Sequence, residues 1–271
     1  MSFTNIVGFI GTGNMGGALA LAAGKSGCAS RILLANRTRA TAEALAKRIG
    51  ACAEVCDNAV VAAEAECIFL GVKPNGMAAM LKELQPIFAA RESRPLLVTM
   101  AAGLPREAVS AMAGGTCQVI RIMPNTPVSI GAGMVPYCAD GVPQKAVEAF
   151  LALMAPAGRL DALPETLIDV ACAVSGCGPA YVYLFIEALA DGAVACGLPR
   201  AKALEYAAAT VQGAAQLLLQ SGRHPGELKD AVCSPGGATI QGVRQLERNG
   251  FRAAAMEAII AAYDKTLSMK K

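Results

Sequence analysis

The sequence has no tryptophan, only one histidine and few aromatic residues, which make up 4% of its 271 residues. Its formal charge of +3 is spread along the chain without a basic tract. Proteins that bind nucleic acid usually carry basic patches and stack aromatic side chains on bases. The scarcity of both features argues against nucleic acid as the main partner.

The chain also lacks the signals of metal-binding, secreted and membrane proteins. Its ten cysteines form no metal-type C-x-x-C pair, so we predict no metal site and expect reduced, packed thiols in a cytoplasmic protein. No basic segment followed by a cleavable apolar stretch stands at the N-terminus. Uncharged runs such as 170–186 are interrupted by glycine, proline or serine, so we expect no membrane partner.

The first positive feature is a glycine-rich turn near the N-terminus. Residues 5–17 are NIVGFIGTGNMGG, an apolar stretch and a G-x-G-x-x-G run, and an Ala/Leu-rich segment follows. In a dinucleotide-binding fold the glycines allow a tight turn, close approach of a pyrophosphate and packing of the helix, whose free N–H groups bind phosphate. A glycine-rich strand–helix turn without a ligand is the alternative.

The end of the second predicted strand, 31–35, bears on the choice of cofactor. NAD-binding folds usually place a carboxylate here for the ribose hydroxyls, whereas this chain has Asn36 and Arg37, followed by Arg39. A carboxylate would repel a 2′-phosphate, while a guanidinium can bind it with two hydrogen bonds. We therefore predict NADP(H), with NAD(H) as the alternative cofactor. The competing interpretation is that the arginines are solvated residues at the start of the next helix.

Two further loops are predicted at the same edge of the sheet. Val72, Lys73 and Pro74 close the apolar strand 67–72, and open parallel sheets bind ligands past the carboxyl ends of their strands. A helix start explains the proline but not a lysine at a buried edge. The loop 124–127, PNTP, either walls a nicotinamide pocket or is only a stiff turn.

The predicted elements divide the chain into two halves. Strands alternate with helices in the first half, which predicts an α/β Rossmann-type domain at 1–160. Only helices are predicted at 161–271, and several are Ala-rich and nearly free of charge, such as 207–219. A helix that is apolar nearly all round must be buried, so we predict a homodimer formed through this all-α half.

A second glycine-rich stretch lies in the helical half. In residues 228–239, LKDAVCSPGGAT, we predict a helix with Ser234 as its N-cap and two glycines in its first turn. Because glycine is unfavourable inside a helix, the pair favours bare amides that bind a carboxylate, with the Thr239 hydroxyl within reach. An ordinary capped helix is the alternative.

No conventional acid for carbonyl reduction accompanies these stretches. The single histidine, His224, adjoins Pro225 at a predicted helix start, and no Tyr-x-x-x-Lys pattern occurs. A carbonyl oxygen usually has to be protonated by such a residue. An imine nitrogen can arrive protonated, and a hydroxyl such as that of Thr239 can orient it, so that positioning carries much of the catalysis. This absence favours reduction of C=N over C=O.

Together these motifs resemble those of the pyrroline-5-carboxylate reductase family. The matching stretches are GFIGTGNMGGALA, FLGVKP, RIMPNTP, SGCGPAYVY, DGAVACGLPR and LKDAVCSPGGATIQGVRQLE, which run almost end to end. The resemblance implies an α/β Rossmann domain followed by an all-α dimerisation domain, in homodimers that assemble into decamers. It also implies reduction of the cyclic imine 1-pyrroline-5-carboxylate to L-proline by NAD(P)H, the last step of proline biosynthesis.

The same resemblance implies roles for individual residues. The pyrophosphate is expected at the glycine-rich run, Gly11, Thr12, Gly13, Asn14, Met15 and Gly16. The rest of the cofactor is expected at Asn36 and Arg37 for the 2′-phosphate, Asn58 for the adenosine end, and Val72, Lys73 and Pro74 for the central part. The substrate is expected at Glu165, Ser234, Gly237, Ala238 and the catalytic Thr239, which would bond the ring nitrogen. Cys177 and Ala231 stand where serine and asparagine occur in other members.

Other functions share parts of this pattern. A hydroxyacid dehydrogenase with the same two-domain plan usually needs a buried catalytic lysine on its domain-linking helix, and segment 175–191 has none. Another imine reductase would keep the cofactor and change the substrate. A cofactor-sensing protein would bind NADP(H) without turnover.

Overall fold

The computed structural model describes residues 6–268 of the chain. By their internal contacts, these residues form two compact units. The first contains the described residues up to Cys177 together with the last helix from Ala262 onwards, and the second spans Gly178–Ala261.

The first unit is built on one eight-stranded sheet. Its strands are β1 Ile6–Ile10, β2 Arg31–Ala35, β3 Ala53–Val55, β4 Cys67–Leu70, β5 Leu96–Thr99, β6 Gln118–Ile122, β7 Gly133–Cys138 and β8 Gly158–Ala162. Their spatial order is β3-β2-β1-β4-β5-β6-β7-β8, and all neighbours are parallel except β6 and β7. The strand order reverses direction at β1, so the carboxyl ends of β2, β1 and β4 meet where open α/β sheets bind ligands.

Each face of the sheet has its own apolar core, because successive side chains on a strand point to opposite faces. On β1, Val7 and Phe9 join one core and Ile10 joins the other. The Phe9 ring stacks on the Phe69 ring of β4 with 4.6 Å between their centroids. Burial on both faces explains why these strands are continuous apolar runs rather than alternating ones.

Helices cover both faces of the sheet. In the first unit they are α1 Asn14–Ser26, α2 Arg39–Ile49, α3 Asn58–Glu64, α4 Pro74–Ala90, α5 Arg106–Met112, α6 Gln144–Met154 and α7 Glu165–Ser175. Helices α1, α2 and α6 supply side chains to the core that contains Phe9, and α3, α4 and α5 supply the other core. The layers are therefore those of a doubly wound α/β unit.

A buried ion cluster attaches α7 to the sheet. Arg121 on β6 is 1% exposed and donates to Asp169 on α7, which is 2% exposed, over 2.5 Å. A second carboxylate on α7, that of Glu165, lies 3.6 Å from Arg121. Because a buried charge is tolerated only with its partner, this cluster holds α7 on the first unit.

The second unit contains helices joined by turns, and no strand occurs among its described residues. Its helices are α8 Gly178–Ala195, α9 Arg200–Ser221, α10 Pro225–Ala231, α11 Ala238–Arg248 and the first part of α12 Phe251–Ser268, whose residues from Ala262 onwards group with the first unit. Three alanines, Ala190, Ala203 and Ala207, are the only buried side chains among the described residues from 178 onwards. Large apolar side chains remain exposed in one copy of the chain, such as Leu184 at 68% and Leu219 at 72%. Soluble monomers rarely expose such faces, so a second copy is expected to cover them.

One helical stretch, Glu165–Ala195, is long and apolar enough to cross a membrane by length and composition alone, whereas no membrane-spanning segment was expected from the sequence. Of its most apolar window, 17% is buried within the chain. The stretch comprises α7 and α8, and its α7 part packs on the sheet through Asp169. The exposed apolar faces of α8 also suit an interface between protein chains.

The alternation of strands and helices followed by helices alone is confirmed, with differences at the ends of elements. Two short elements, β3 and α5, were not predicted from the sequence. Strand β7 is internal, because β8 pairs with its outer side, and β8 is the edge strand of the sheet. The domain boundary at residue 160 stays a prediction, since the compact units divide after Cys177.

The ion cluster generates a prediction about stability. We expect Asp169→Asn to lower the free energy of unfolding by about 3–5 kcal/mol, because the buried Arg121 charge loses its nearest carboxylate. Urea denaturation at one fixed protein concentration measures the change. The control Glu43→Gln breaks an exposed 3.0 Å ion pair with Arg39 and should cost less than about 1 kcal/mol. Equal losses in both variants would contradict the role of the cluster.

Candidate active site

Three loops converge at the carboxyl ends of β1, β2 and β4. Gly11, which follows β1, donates its N–H to the carbonyl of Ala35 at the end of β2 over 2.8 Å. Gly71, which follows β4, donates its N–H to the carbonyl of Ile10 over 2.8 Å. The structure therefore brings the glycine-rich run, the β2–α2 junction and the segment after β4 to one edge of the sheet.

The glycines of the run differ in what they do. Gly11 has a φ of +92°, which favours glycine. A Cβ on Gly16 would lie 2.1 Å from the Gly11 carbonyl oxygen, so α1 could not begin so close to β1 with a larger residue. Gly13 has an ordinary φ of −67°, and a Cβ there would meet nothing within 4 Å. No internal contact requires Gly13, which suits close approach of a ligand to the backbone.

The N-terminus of α1 is open to an anion. Gly13 is the N-cap, and no side chain caps the first turn of this 13-residue helix. The backbone amides of its first turn, which begins with Asn14 and Met15, have no partner within the helix, and the positive end of the helix dipole lies there. The neighbouring Thr12 is 3% exposed, and its hydroxyl oxygen has no hydrogen-bond partner among the described residues. The loop therefore fits a pyrophosphate group.

Asn36 joins the glycine-rich loop to the next helix. Its Oδ1 accepts from the Thr12 N–H over 3.0 Å, and its Nδ2 donates to the Thr38 carbonyl over 2.9 Å. An aspartate could accept the first bond but could not donate the second. Asn36 therefore has a structural role beside the one expected towards a 2′-phosphate.

The two arginines that follow Asn36 differ in their side-chain contacts. Arg39 donates from Nε to Glu43 over 3.0 Å. Arg37 is exposed and makes no ion pair or side-chain hydrogen bond within the part of the chain that the structure describes. Of the two guanidinium groups, that of Arg37 is the one available to a phosphate.

The remaining cofactor candidates stand at helix starts along the same edge. Asn58 is the first residue of α3, which follows β3, and it is half-buried. Val72 is half-buried and packs against one of the apolar cores. Lys73 is the N-cap of α4 and Pro74 its first residue. The expectation of a lysine at a buried edge is wrong, because an N-cap residue leaves the sheet and Lys73 is exposed.

Glu165 lies within the ion cluster rather than in an open pocket. Its Oε1 accepts the backbone N–H of Arg106 over 2.8 Å, and its Oε2 is 3.5 Å from the Arg106 guanidinium. With Arg121 at 3.6 Å, the carboxylate already faces two guanidinium groups. These contacts support an indirect role through the placement of α7.

The second glycine-rich stretch, in the second unit, begins with a turn and not with a helix. The Gly237 N–H donates to the Ser234 carbonyl over 3.0 Å, and Gly236 has a φ of +71°. Proline followed by a positive-φ glycine is typical of a type II turn. Helix α11 begins at Ala238 with Gly237 as its N-cap. The prediction of Ser234 as the N-cap is therefore wrong.

Thr239 is the second residue of α11 and is exposed in one copy of the chain. Its hydroxyl has no hydrogen-bond partner among the described residues. No side chain caps α11, so the amides of its first turn are free as well. Ala238 and Thr239 thus present two kinds of donor, backbone N–H and hydroxyl, to a ligand at this helix end.

The single histidine has a local structural role. His224 is the N-cap of α10, and its Nδ1 accepts from the Gly226 N–H over 3.1 Å. A ring nitrogen used in this way holds the helix start together. This capping bond agrees with the assignment of catalysis to another residue.

Two partly buried thiols, those of Cys56 and Cys172, are kept protonated by burial. Burial first, and then the charges of Glu54 and Glu64, raise the pKa of Cys56, two residues before Asn58, to about 11. Burial first, and then Cys177, raise the pKa of Cys172. A protonated thiol is a poor nucleophile, so neither sulfur is poised for covalent catalysis at neutral pH.

Two features at the sheet edge were missed from the sequence. Gly71 is required because a Cβ there would lie 2.2 Å from the Gly11 carbonyl oxygen. The signal was a glycine directly after a buried strand. Arg121 and Asp169 were missed as a pair, although Arg121 is the only charge in an apolar strand, which is itself a sign of a buried partner.

Both parts of the chain match models of known families. A family model described as pyrroline-5-carboxylate reductase dimerisation matches residues 165–269. Another, described as NADP oxidoreductase coenzyme F420-dependent, matches residues 6–103. Together they cover the glycine-rich run, the β2–α2 junction and the stretch that leads into α11.

Curated relatives match over almost the whole chain. The pyrroline-5-carboxylate reductase of Escherichia coli (strain K12) is 38% identical over 270 residues, which cover 98% of each protein. The enzyme of the same name from Pisum sativum is 39% identical over 265 residues, covering 97% of this chain and 95% of the relative.

Solved structures agree with this match. A pyrroline-5-carboxylate reductase from Coxiella burnetii superposes with a TM-score of 0.89 at 29% identity and covers 99% of each chain. A pyrroline carboxylate reductase from Plasmodium falciparum, solved with NADP bound, superposes with a TM-score of 0.87 at 29% identity over 100% of each chain. The chain therefore belongs to the pyrroline-5-carboxylate reductase family.

Proposed function

We propose that this protein reduces 1-pyrroline-5-carboxylate to L-proline with NADPH, with NADH as an alternative hydride donor. The observation that carries the proposal is the near-full-length match to enzymes of that name in a chain whose sheet edge fits a dinucleotide. When bound, the nicotinamide cofactor supplies a hydride to the carbon of the C=N bond. The product amine is the ring nitrogen of proline.

The first unit supplies the cofactor site in this proposal. The free amides at the start of α1 and the Thr12 hydroxyl hold the pyrophosphate. Arg37 holds the 2′-phosphate, and Asn36 keeps the two loops together while adding no negative charge that would repel it. Asn58 meets the adenosine end, and the segment from Val72 to Pro74 meets the central part of the cofactor.

The start of α11 supplies the substrate site. The turn formed by Ser234 and Gly237 and the first amides of α11, at Ala238 and Thr239, bind the carboxylate, since a helix N-terminus favours an anion. The Thr239 hydroxyl orients the protonated ring nitrogen. Glu165 acts indirectly, by fixing the start of α7 between two guanidinium groups.

The reaction needs little acid catalysis from the protein. A protonated imine is already electrophilic at carbon, so the nitrogen keeps its proton while the carbon accepts the hydride. The residues at the start of α11 then contribute mainly by holding the imine in a reactive orientation. A mechanism without a protein acid agrees with the role of the one histidine, His224, which caps a helix.

We propose that the working form is a homodimer that assembles further into decamers in the cytoplasm. The exposed apolar side chains of α8 and α9 support dimerisation. The family match at residues 165–269, whose model is described as a dimerisation domain, points the same way.

The activity is tested by following NADPH oxidation with three substrates. We expect turnover with 1-pyrroline-5-carboxylate and at least about 100-fold lower kcat/KM with 2-keto acids, because no acid is placed to protonate a carbonyl oxygen. NADPH binding without turnover on any substrate would favour a cofactor sensor. Preference for a 2-keto acid would identify a dehydrogenase instead, and preference for a different cyclic imine would identify another imine reductase.

The role of Thr239 is tested by removing and then retaining its hydroxyl. We expect Thr239→Ala to lower kcat about 10- to 1,000-fold, which is roughly 1.4 kcal/mol of transition-state stabilisation per tenfold step. The affinity for NADPH, measured by its fluorescence, should stay within about twofold. Thr239→Ser keeps the hydroxyl and should retain most activity. Equal loss of turnover and NADPH affinity in the alanine variant would remove the proposed role.

The preference for NADPH is tested at the β2–α2 junction. We expect Arg37→Ala to reduce the ratio of kcat/KM for NADPH to that for NADH by about 10- to 100-fold, the loss typical of charge-assisted hydrogen bonds. The matched control is Arg39→Ala, since Arg39 is already engaged by Glu43 and should change the ratio less than about threefold. An unchanged ratio in Arg37→Ala would overturn the assignment of the 2′-phosphate.

A further inference from the structure

Helix α7 is assigned differently by sequence similarity and by its contacts in the structure. The family model of the dimerisation domain begins at residue 165, yet the helix groups by its contacts with the nucleotide-binding unit. The chain passes from the first unit to the second after Cys177, directly behind the end of α7, and returns to the first unit within α12. The first of these connections therefore begins at Gly176 and Cys177. The hydrogen bonds at this end of α7 lie directly beside that connection.

At the end of α7, the Ser175 carbonyl lacks its usual helical hydrogen-bond donor, and the reason lies in the sequence. The carbonyl of Ser175 would normally accept the N–H of residue 179, four residues further on, but residue 179 is proline and has no N–H. The first two donors after Ser175 bond elsewhere, because Gly176 and Cys177 both donate to the carbonyl of Cys172, over 2.8 and 3.1 Å.

Asn125 supplies the missing donor. Its Nδ2 donates to the Ser175 carbonyl over 3.0 Å, and its Oδ1 accepts the N–H of Met134 at the start of β7 over 2.9 Å. The side chain is 9% exposed, so these bonds are poorly replaced by water. The loop that carries it has Pro124 and Pro127 on either side, which limits its freedom.

Three attachments thus hold α7 on the first unit: Glu165 at its start, Asp169 in its middle and the Ser175 carbonyl at its end. The Asp169 carboxylate is bound by Arg121 in the middle of the helix, and the Ser175 carbonyl is bound by Asn125 at its end. Six residues separate these points, about 9 Å along a helix. Without the bond from Asn125, the attachments at Glu165 and Asp169 would leave the last turn of the helix free to fray, and the bond at Ser175 removes that freedom.

We propose that Asn125 is a positioning residue, which acts by latching the end of α7 and so ordering the connection at residues 176–177. This inference rests on the proposed function, since the residues assigned to the imine lie beyond the connection and those assigned to NADPH lie before it. Loss of the latch should therefore weaken use of the imine while NADPH binding is preserved.

The kinetic test compares two substitutions of one side chain with a control on its partner. Asn125→Ala removes both bonds, whereas Asn125→Asp keeps an oxygen for the Met134 N–H and loses the donor to Ser175. In each we expect KM for 1-pyrroline-5-carboxylate to rise about 5- to 30-fold, with the NADPH dissociation constant within about twofold. Ser175→Ala keeps the backbone carbonyl that Asn125 binds and should leave both constants within about twofold.

A structural readout separates this inference from the activity. Hydrogen exchange at the amides of Gly176 and Cys177 should be at least about tenfold faster in both Asn125 variants and unchanged in Ser175→Ala. This measurement needs no substrate, so it tests the latch even if the wild-type protein fails to reduce the imine. Should Asn125→Ala fail to fold, Asn125→Asp carries both measurements.

A second-site variant tests whether the missing donor to the Ser175 carbonyl causes the defect of the Asn125 variants. Pro179→Ala gives residue 179 an N–H that can donate to the Ser175 carbonyl, so in the Asn125→Asp background it should return exchange and KM towards wild-type values. If the double variant keeps the defect, the explanation that Asn125 replaces the donor missing at Pro179 is wrong. Unchanged exchange and KM in Asn125→Asp, or an equal loss of NADPH affinity, would overturn the proposal.

Discussion

The carbonyl oxygen of Gly11 sets how closely three segments of backbone approach one another. The start of α1 and the loop after β4 both come so near that a Cβ on Gly16 or Gly71 would lie 2.1 or 2.2 Å from this oxygen. Any side chain at either position would push a helix or a loop away from β1. The dinucleotide site therefore depends on the absence of side chains where these segments meet. The close packing of α1 and the loop after β4 on β1 depends on the same glycines.

Fold and cofactor site share residues elsewhere on this edge as well. Asn36 holds the glycine-rich loop to the β2–α2 junction through both ends of its carboxamide, so its position is set before any ligand arrives. Arg37 and Gly13 differ, because no internal contact explains either residue. A residue with no structural role at a site edge is more informative about the ligand than one with both roles.

Local features were predictable from the sequence and long-range ones were not. The buried strand β1, its glycines and the all-helical half depend on neighbours within a few residues. The partners in the Arg121–Asp169 and Asn125–Ser175 bonds are 48 and 50 residues apart, so only the three-dimensional structure identifies them. At Ser234 two local signals competed: Ser-Pro favours a helix start and Pro-Gly favours a type II turn. The turn formed because Gly236 adopts a positive φ, and the helix begins four residues later.

The buried charges also bear on where the chain divides. A nucleotide-binding unit that stopped at residue 160 would keep Arg121 buried and lose both Glu165 and Asp169, leaving a charge without a partner. A unit that continued to Cys177 would keep the ion cluster, the Asn125 latch and the whole of α7. The second unit has the opposite problem, since its three buried alanines make too small an interior for one copy. Its stability is therefore expected to depend on association, which couples folding of the substrate site to protein concentration.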